Sequence, residues 1–154
     1  MIKKFDFLVN GGGLVGCLTS LVLSKKNYSV CLIERNNFKK IISDSYIPLS
    51  LTVNSVEFLK QNEAWDSEII KSNEIKKLNI KLFNSFNTVK LSSADIGGRS
   101  LGSVVDKSCF LSFLRDLCLR DKNINIIDND VISIDDLSSP FMPKFSRNKL
   151  EIAA

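Results

Sequence analysis

The chain has 154 residues, enough for one domain that buries roughly two-thirds of the surface its unfolded form exposes. Its composition, 44% hydrophobic and 25% charged, is typical of a globular protein, and no apolar run approaches the length of about eighteen residues that crosses a bilayer. The net charge of +4 is modest and the lysines are dispersed, which argues against a nucleic-acid-binding surface.

The first predicted elements enclose a glycine-rich turn. Residues 5–34 predict a short strand, the turn, an apolar helix that begins near Leu14, and a second strand. Gly11, Gly13 and Gly16 fit the G-x-G-x-x-G pattern of dinucleotide-binding proteins, with the strand before it and the helix after it. The alternative is a glycine turn without a binding role that joins a strand to a helix in another α/β protein.

Each glycine of this pattern has its own predicted task. Gly11 permits the tight turn out of the strand, Gly13 lets the backbone approach a pyrophosphate, and Gly16 lets the helix pack close to the sheet. The free N–H groups and the positive dipole end at the start of the helix then point at the phosphates. Glu34 ends the second strand, where its carboxylate can accept hydrogen bonds from a ribose diol.

The middle of the chain departs from a simple nucleotide-binding unit. A polar stretch is followed by a predicted helix over Leu51–Gln61, with Trp65 in the turn after it. The alternation of apolar and polar residues over Ile75–Ser92 predicts a β-hairpin with a polar turn at residues 84–87, and Leu101–Val105 predicts a further short strand. This inserted hairpin argues against a simple NAD dehydrogenase, in which a single helix joins successive strands.

Helical spacing returns from Cys109 to Leu119, and short apolar strands follow at Ile124–Ile127 and Val131–Ile134. Their position after a helix suits a third parallel strand of the nucleotide-binding sheet, reached by a long crossover. We therefore expect an α/β fold, namely a Rossmann-like βαβ unit with an inserted β-hairpin and helices, incomplete at the C-terminus.

Cysteine and histidine usage limits the chemistry. The four cysteines, Cys17, Cys31, Cys109 and Cys118, lie in apolar helix or strand patterns without a C-x-x-C pair, so we interpret them as small core residues in a reducing cytoplasm. The chain has no histidine, which argues against a zinc site and removes the usual general base. Any reaction would therefore depend on a cofactor.

Four segments together carry a resemblance to a known family. FDFLVNGGGLVG (residues 5–16) and CLIER (31–35) look like the start of an FAD-binding domain. LTVNSVEFLKQNEAWD (51–66) resembles a helix that ends in Trp-Asp, and SLGSVVD (100–106) is similar to an Ala-Leu-Gly-x-Val-Val-Glu stretch. The family is that of the FAD-dependent aromatic hydroxylases of ubiquinone biosynthesis, the group that contains 2-octaprenyl-6-methoxyphenol hydroxylase.

The resemblance implies a cofactor, an electron donor and a substrate class. FAD would be reduced by NAD(P)H, and O₂ would supply the oxygen atom added to a prenylated phenol ring. The pyrophosphate would lie against the glycine turn, the ribose against Glu34, with Arg35 along the same edge and the backbone of Val131 against the adenine. The implied cofactor-binding residues are Gly11, Gly12, Gly13, Leu14, Val15, Gly16, Glu34, Arg35 and Val131. The catalytic residues stay unassigned at this point, and we expect no metal.

The resemblance covers residues 4–134, but only the first third of such an enzyme. We therefore expect residues 1–154 to be the N-terminal portion of an FAD-binding domain, without the substrate domain and the later FAD motifs, and to be unable to hydroxylate alone. The implied location is the cytoplasm, with a peripheral association at the inner membrane or with other ubiquinone-synthesis enzymes as an open option.

Two departures from the family pattern keep alternatives open. The family commonly has Asp-x-Arg-x-x-Ala-Leu before the Trp-containing helix, whereas residues 45–51 read SYIPLSL and no arginine lies between Arg35 and Arg99. Many members also have Asn-Arg after Val-Val-Glu, where this chain has Lys107 and Ser108. One alternative is a catalytically inactive nucleotide-binding fragment that acts as a partner or regulatory subunit, and another is an NAD-binding dehydrogenase domain.

Overall fold

The computed structural model describes the chain over residues 3–40, 46–81, 83, 88–128, 132–133, 144–145 and 152–153. The chain divides into two compact units: the first contains residues 1–43 and 111–154, and the second contains residues 44–110. None of the helices in the described ranges is long and apolar enough to span a membrane.

Strands and helices alternate near both ends of the chain, and the middle is mostly β-structure. In chain order the elements are β1 (Lys3–Lys4), β2 (Phe7–Asn10), α1 (Leu14–Lys25), β3 (Val30–Glu34), β4 (Pro48–Thr52), α2 (Val53–Gln61), β5 (Ser72–Glu74), β6 (Lys77–Lys81), β7 (Thr88–Ser92), a 3₁₀ helix (Ser93–Ile96), β8 (Gly102–Asp106), α3 (Lys107–Arg120), β9 (Ile124–Asp128), β10 (Ile132–Ser133), β11 (Lys144–Phe145) and β12 (Ile152–Ala153).

A parallel three-stranded sheet in the order β2-β3-β9 forms the centre of the first unit. Its middle strand, β3, is buried at every position, as is typical of a continuous apolar run in a parallel sheet. β9 runs parallel to β3 with Ile126 opposite Leu32, which confirms the third parallel strand predicted from the sequence. Two short pairs, β1 with β12 and β10 with β11, complete the strands described in this unit. The predicted α/β class with its βαβ unit is confirmed.

Helix α1 lies close to its neighbours because its buried residues are small. They are Cys17, Ser20 and Ser24. The Ser20 hydroxyl donates to the Gly16 carbonyl oxygen at 2.8 Å, and the Ser24 hydroxyl donates to the Asp121 carboxylate at 2.6 Å. These buried hydroxyls are therefore satisfied, and the helix is fixed in position directly after the glycine turn.

An antiparallel three-stranded sheet in the order β4-β8-β5 organises the second unit. The helix predicted from Leu51 begins two residues later, because Leu51 belongs to β4 and Thr52 is the N-cap of α2. The Thr52 side chain accepts a hydrogen bond from the Ser55 N–H at 3.2 Å, which ends the strand and starts the helix. Within α2, Leu59 is buried whereas Phe58 is 46% exposed.

The predicted β-hairpin is confirmed as the antiparallel pair of β6 and β7. Its four apolar side chains form two directly opposed pairs on one face, and each side chain is between 42% and 56% exposed. The turn predicted at residues 84–87 lies outside the described residues. We call this set the hairpin apolar face; it consists of Leu78, Ile80, Val89 and Leu91.

The cysteines are all free, and three of the four are core residues. Cys17, Cys31 and Cys118 are fully buried, and the Cys118 thiol donates to the Cys17 carbonyl oxygen at 3.6 Å. The neighbouring Cys17 side chain and burial raise the pKa of the Cys118 thiol above its ordinary value, so it stays a neutral thiol. The core position predicted for Cys109 is wrong, because this residue is exposed in α3 and its thiol lies 3.8 Å from the Ile69 carbonyl oxygen.

Candidate dinucleotide-binding site

The glycine turn joins β2 to α1 in a conformation that requires glycine at two positions. Gly11 has a φ of +109°, a value that residues with a side chain rarely adopt, and its N–H donates to the Ile33 carbonyl oxygen at 2.7 Å. A Cβ added to Gly16 would lie 1.8 Å from the Gly11 carbonyl oxygen, so any side chain there would collide with the backbone. These two glycines allow the helix to begin against the end of the strand.

The space around Gly13 is open, in contrast to Gly16. A Cβ added to Gly13 would meet no atom within 4 Å. Gly13 is also the N-cap of α1, and the first turn of this helix contains no acidic residue. Because a glycine cap has no side chain to accept hydrogen bonds, the N–H groups of the first turn remain available to an anion. Val15, in this turn, is 79% exposed.

Glu34 lies where the sequence predicts it, at the end of β3 and beside the turn. Its Oε2 accepts a hydrogen bond from the Gly12 N–H at 2.7 Å. Its Oε1 accepts from the Asn36 N–H at 3.0 Å and from the Asn36 side-chain amide at 3.2 Å. The buried carboxylate of Glu34 is thus held by backbone and side-chain donors, and one of these donors is the Gly12 N–H of the glycine turn.

The structure adds two residues to this site that sequence reasoning missed. The Arg115 side chain, from α3, donates from Nε to the Gly12 carbonyl oxygen at 3.1 Å, and its Nη2 lies 4.0 Å from Glu34 Oε2. Phe38 is buried against the turn, since a Cβ added to Gly12 would lie 2.6 Å from its ring. The signal for Arg115 was a lone cation on the otherwise apolar stripe of α3, at the spacing of Leu111, Leu114 and Cys118.

The remaining predicted site residues are not brought into the same cluster by any described contact. Arg35 follows Glu34 directly and is exposed. Val131, predicted to touch an adenine through its backbone, lies outside the described residues. The described residues contain no cluster of three or more acidic, cysteine or histidine side chains that could hold a metal ion.

The residues present fit the pyrophosphate and ribose of a dinucleotide such as FAD. The fit depends on the open approach at Gly13, the uncapped first turn of α1, and the carboxylate of Glu34 at the end of the adjacent strand. This geometry suits the adenosine diphosphate half that FAD and NAD share, so it does not distinguish the two cofactors.

Comparison with known proteins gives one curated relative. No protein-family model matches the chain. The chain is 30% identical over 135 residues to kynurenine 3-monooxygenase of Debaryomyces hansenii, a match that covers 84% of this chain and 28% of that protein. The chain therefore spans less than a third of the length of this relative.

Solved structures share the fold over nearly the whole chain. The p-nitrophenol 4-monooxygenase PnpA from Pseudomonas putida DLL-E4 matches with a TM-score of 0.73 and 16% identity, over 99% of this chain and 40% of that chain. PqsL, a probable FAD-dependent monooxygenase from Pseudomonas aeruginosa, matches with a TM-score of 0.63 and 11% identity, over 98% of this chain and 40% of that chain. At 16% and 11% identity, these two structures show that the chain shares the fold of these proteins, and they show the fold alone.

Proposed function

We propose that this chain is the nucleotide-binding part of an FAD-dependent monooxygenase that acts on an aromatic ring. The observation that carries the proposal is the open glycine turn at the start of α1, with Glu34 held beside it at the end of the next strand. The inserted hairpin favours FAD over NAD, because a simple dehydrogenase unit has no such insertion. The 30% identity to a kynurenine 3-monooxygenase supports the same choice.

In this proposal the chain binds and orients the cofactor. The backbone of residues 11–16 and the helix dipole of α1 hold the pyrophosphate, and Glu34 accepts hydrogen bonds from the adenosine ribose. We also propose that Arg35, which directly follows Glu34, lies along the same edge of the cofactor. The cofactor supplies the redox and oxygen-transfer chemistry when bound, which agrees with a chain that has no histidine to act as a general base.

The reaction needs an electron donor, oxygen and an aromatic substrate. We propose NAD(P)H as the donor and a prenylated phenol of ubiquinone biosynthesis as the substrate. The segments at residues 51–66 and 100–106 support this choice, because they resemble the corresponding stretches of the ubiquinone-biosynthesis hydroxylases. A peripheral association with the inner membrane would follow from so apolar a substrate.

The sequence match supports a second substrate class, an aromatic amine of the kynurenine type. The two substrates are separated by NAD(P)H oxidation with the complete, FAD-loaded product of the gene, in the presence of kynurenine or of a short-chain prenylated phenol. Stimulation by the phenol alone supports the ubiquinone assignment, and stimulation by kynurenine alone supports the second class. Stimulation by neither contradicts both.

FAD binding is tested on the 154-residue chain by an absorbance spectrum after purification and incubation with FAD. Bound oxidised flavin gives absorbance bands at about 370 and 450 nm, and the flavin stays with the protein during gel filtration. A chain that retains NAD and no flavin would contradict the proposal in favour of a dehydrogenase domain. A complete gene product that binds FAD but has no oxygenase activity would favour the alternative of an inactive partner or regulatory subunit.

A further inference from the structure

We propose that Arg115 is a positioning residue for dinucleotide binding, which sets the direction of the Gly13 N–H through the peptide that joins Gly12 to Gly13. This inference rests on the proposed function, because it concerns the same glycine turn. It adds a residue from α3, 103 positions away from Gly12 in the sequence, to the cofactor-binding machinery.

The Arg115 guanidinium makes three directed contacts within the first unit. Its Nε donates to the Gly12 carbonyl oxygen at 3.1 Å, and its Nη1 donates to the Phe38 carbonyl oxygen at 3.2 Å. Its Nη2 lies 4.0 Å from Glu34 Oε2, and the side chain is 12% exposed. A planar guanidinium presents its donors in a fixed fork, so these contacts together fix both its position and its plane.

The peptide plane carries this constraint to the cofactor side of the turn. The Gly12 carbonyl and the Gly13 N–H belong to one peptide unit, and in a trans peptide these two groups point in opposite directions. When Arg115 holds the Gly12 carbonyl oxygen toward α3, the Gly13 N–H points away from α3. No atom lies within 4 Å of the Cβ position of Gly13, so this residue borders open space.

Gly12 is held from both of its polar groups. Its N–H donates to Glu34 Oε2 at 2.7 Å and its carbonyl oxygen accepts from Arg115 Nε, so Glu34 and Arg115 both bind this residue. The charge of Arg115 also compensates the buried carboxylate of Glu34, whose burial would otherwise be costly. Removing Arg115 would therefore leave the Gly12 carbonyl oxygen with only the weak thiol donor of Cys17, at 3.5 Å, and would leave Glu34 without this nearby cation.

Phe38 contacts both Arg115 and Gly12. Its ring lies 4.8 Å from the Arg115 guanidinium carbon and occupies the space that a Cβ on Gly12 would need. The ring thus limits the movement of both groups, by a cation–π contact and by steric exclusion. The direction of the Gly13 N–H follows from this packed set and is established before any ligand binds.

The test compares Arg115→Met and Arg115→Lys with Arg120→Met as a matched control. Arg120 lies on the same helix, but its side chain is 75% exposed and pairs with Asp116. Two quantities are measured at a temperature where every variant is folded. They are the dissociation constants for ADP and FAD, and the residual dipolar coupling of the Gly13 N–H, which reports the direction of that bond in the ligand-free protein.

We expect Arg115→Met to change the Gly13 N–H coupling and to weaken ADP and FAD binding by about tenfold or more, because a charge-assisted contact to the turn is lost. Arg115→Lys keeps one donor, so its coupling and dissociation constants should lie between those of the wild type and of Arg115→Met. Arg120→Met should match the wild type. A wild-type coupling and wild-type affinities in both Arg115 variants, even with a lower melting temperature, would overturn the proposal.

Two further outcomes keep this test separate from that of the proposed function. If Arg115→Met does not fold, Arg115→Lys decides by the same two measurements. If the wild-type chain binds neither ADP nor FAD, the proposed function fails, and the coupling of the Gly13 N–H alone decides whether Arg115 positions the turn. A coupling unchanged by Arg115→Lys and Arg115→Met then contradicts the positioning role.

Discussion

The glycine turn of the first unit and the hairpin of the second unit differ in how completely their own unit surrounds them. At the turn, the Gly12 N–H and carbonyl are both bound by side chains, and Phe38 is 2% exposed. The four side chains of the hairpin apolar face are 42% to 56% exposed within the described ranges. One region is fixed by its own contacts, whereas the other presents apolar area to solvent.

This difference shows which part of the molecule can hold a fixed geometry by itself. The parallel sheet buries β3 completely, so the turn that follows β2 starts from a rigid strand end. The hairpin is held by backbone pairing of two strands, and isolated two-stranded hairpins are marginally stable. We therefore expect substitutions to have large effects in the first region and small effects in the second.

The largest expected difference is between two leucine-to-alanine substitutions. Leu32 in β3 is fully buried, so Leu32→Ala should lower the free energy of unfolding by about 3 kcal/mol through lost apolar burial and the cavity left behind. Leu91→Ala in the hairpin, where the side chain is 42% exposed, should cost less than about 1 kcal/mol. Urea denaturation followed by far-UV circular dichroism and by the fluorescence of Trp65 measures both. An equal loss of unfolding free energy in the two variants would contradict the predicted difference between the buried sheet and the exposed hairpin.

A smaller effect is expected from the two glycines that face opposite environments at the turn. Gly16→Ala places a Cβ 1.8 Å from the Gly11 carbonyl oxygen, so it should cost about 2 kcal/mol through forced backbone movement and abolish measurable FAD binding. The stability is measured by urea denaturation and the binding by FAD fluorescence quenching.

Gly13→Ala is the matched control for that substitution. No atom lies within 4 Å of its Cβ position, so the variant should fold with a stability within about 1 kcal/mol of the wild type, the usual difference between glycine and alanine at an N-cap. It should still weaken FAD binding, because the added methyl group would occupy the open space where we propose that the pyrophosphate binds. Gly13→Ala binding FAD as tightly as the wild type would remove Gly13 from the site.

The smallest expected effect concerns Asp6, which directly precedes β2 at the end of this strand away from the glycine turn. The Asp6 carboxylate accepts from the Ser29 N–H and hydroxyl, both at 2.7 Å, and the hydrogen bonds from the Ser29 side chain and backbone hold the Asp6 pKa below its ordinary value of 3.8. A lowered carboxyl pKa contributes stability that is present above pH 3.8 and lost as the pH falls through the lower folded pKa.

Asp6→Asn should therefore be slightly less stable than the wild type at pH 7, and this difference should shrink as the pH falls below 3.8. Denaturant midpoints of both proteins at pH 7 and at pH 3 measure the change. A difference that is the same at both pH values would show that the Asp6 charge is not what Ser29 stabilises.

Much of the first unit could be predicted from the sequence because its signals are local. The glycine spacing and the apolar runs of β2 and β3 specify a strand, a turn, a helix and a strand within residues 5–34. β5 could not be predicted, because its residues Ser72–Glu74 have no strand propensity and are held by pairing with β8. β4 was not predicted, because its last two residues, Leu51 and Thr52, fall within the predicted helix and no element was assigned to Leu49 and Ser50.

The candidate site likewise contains residues that could be predicted from the sequence and residues that could not. Glu34 was predictable because it ends the strand that follows the glycine helix. Its contact with Arg115 was not predictable, since it depends on how α3 packs against the turn, and Arg115 lies 103 positions after Gly12 in the sequence. Phe38 carries no local pattern at all, and its role follows only from the space that Gly12 leaves for its ring.

The most direct test of the central claim is an NMR titration of the ¹⁵N-labelled chain with FAD. We predict that the amide signals of residues 11–16 and of Glu34 shift together and reach saturation at one FAD per chain, while those of the hairpin apolar face do not move. Shifts confined to the hairpin, or no shift with FAD and a full response to NAD, would contradict it.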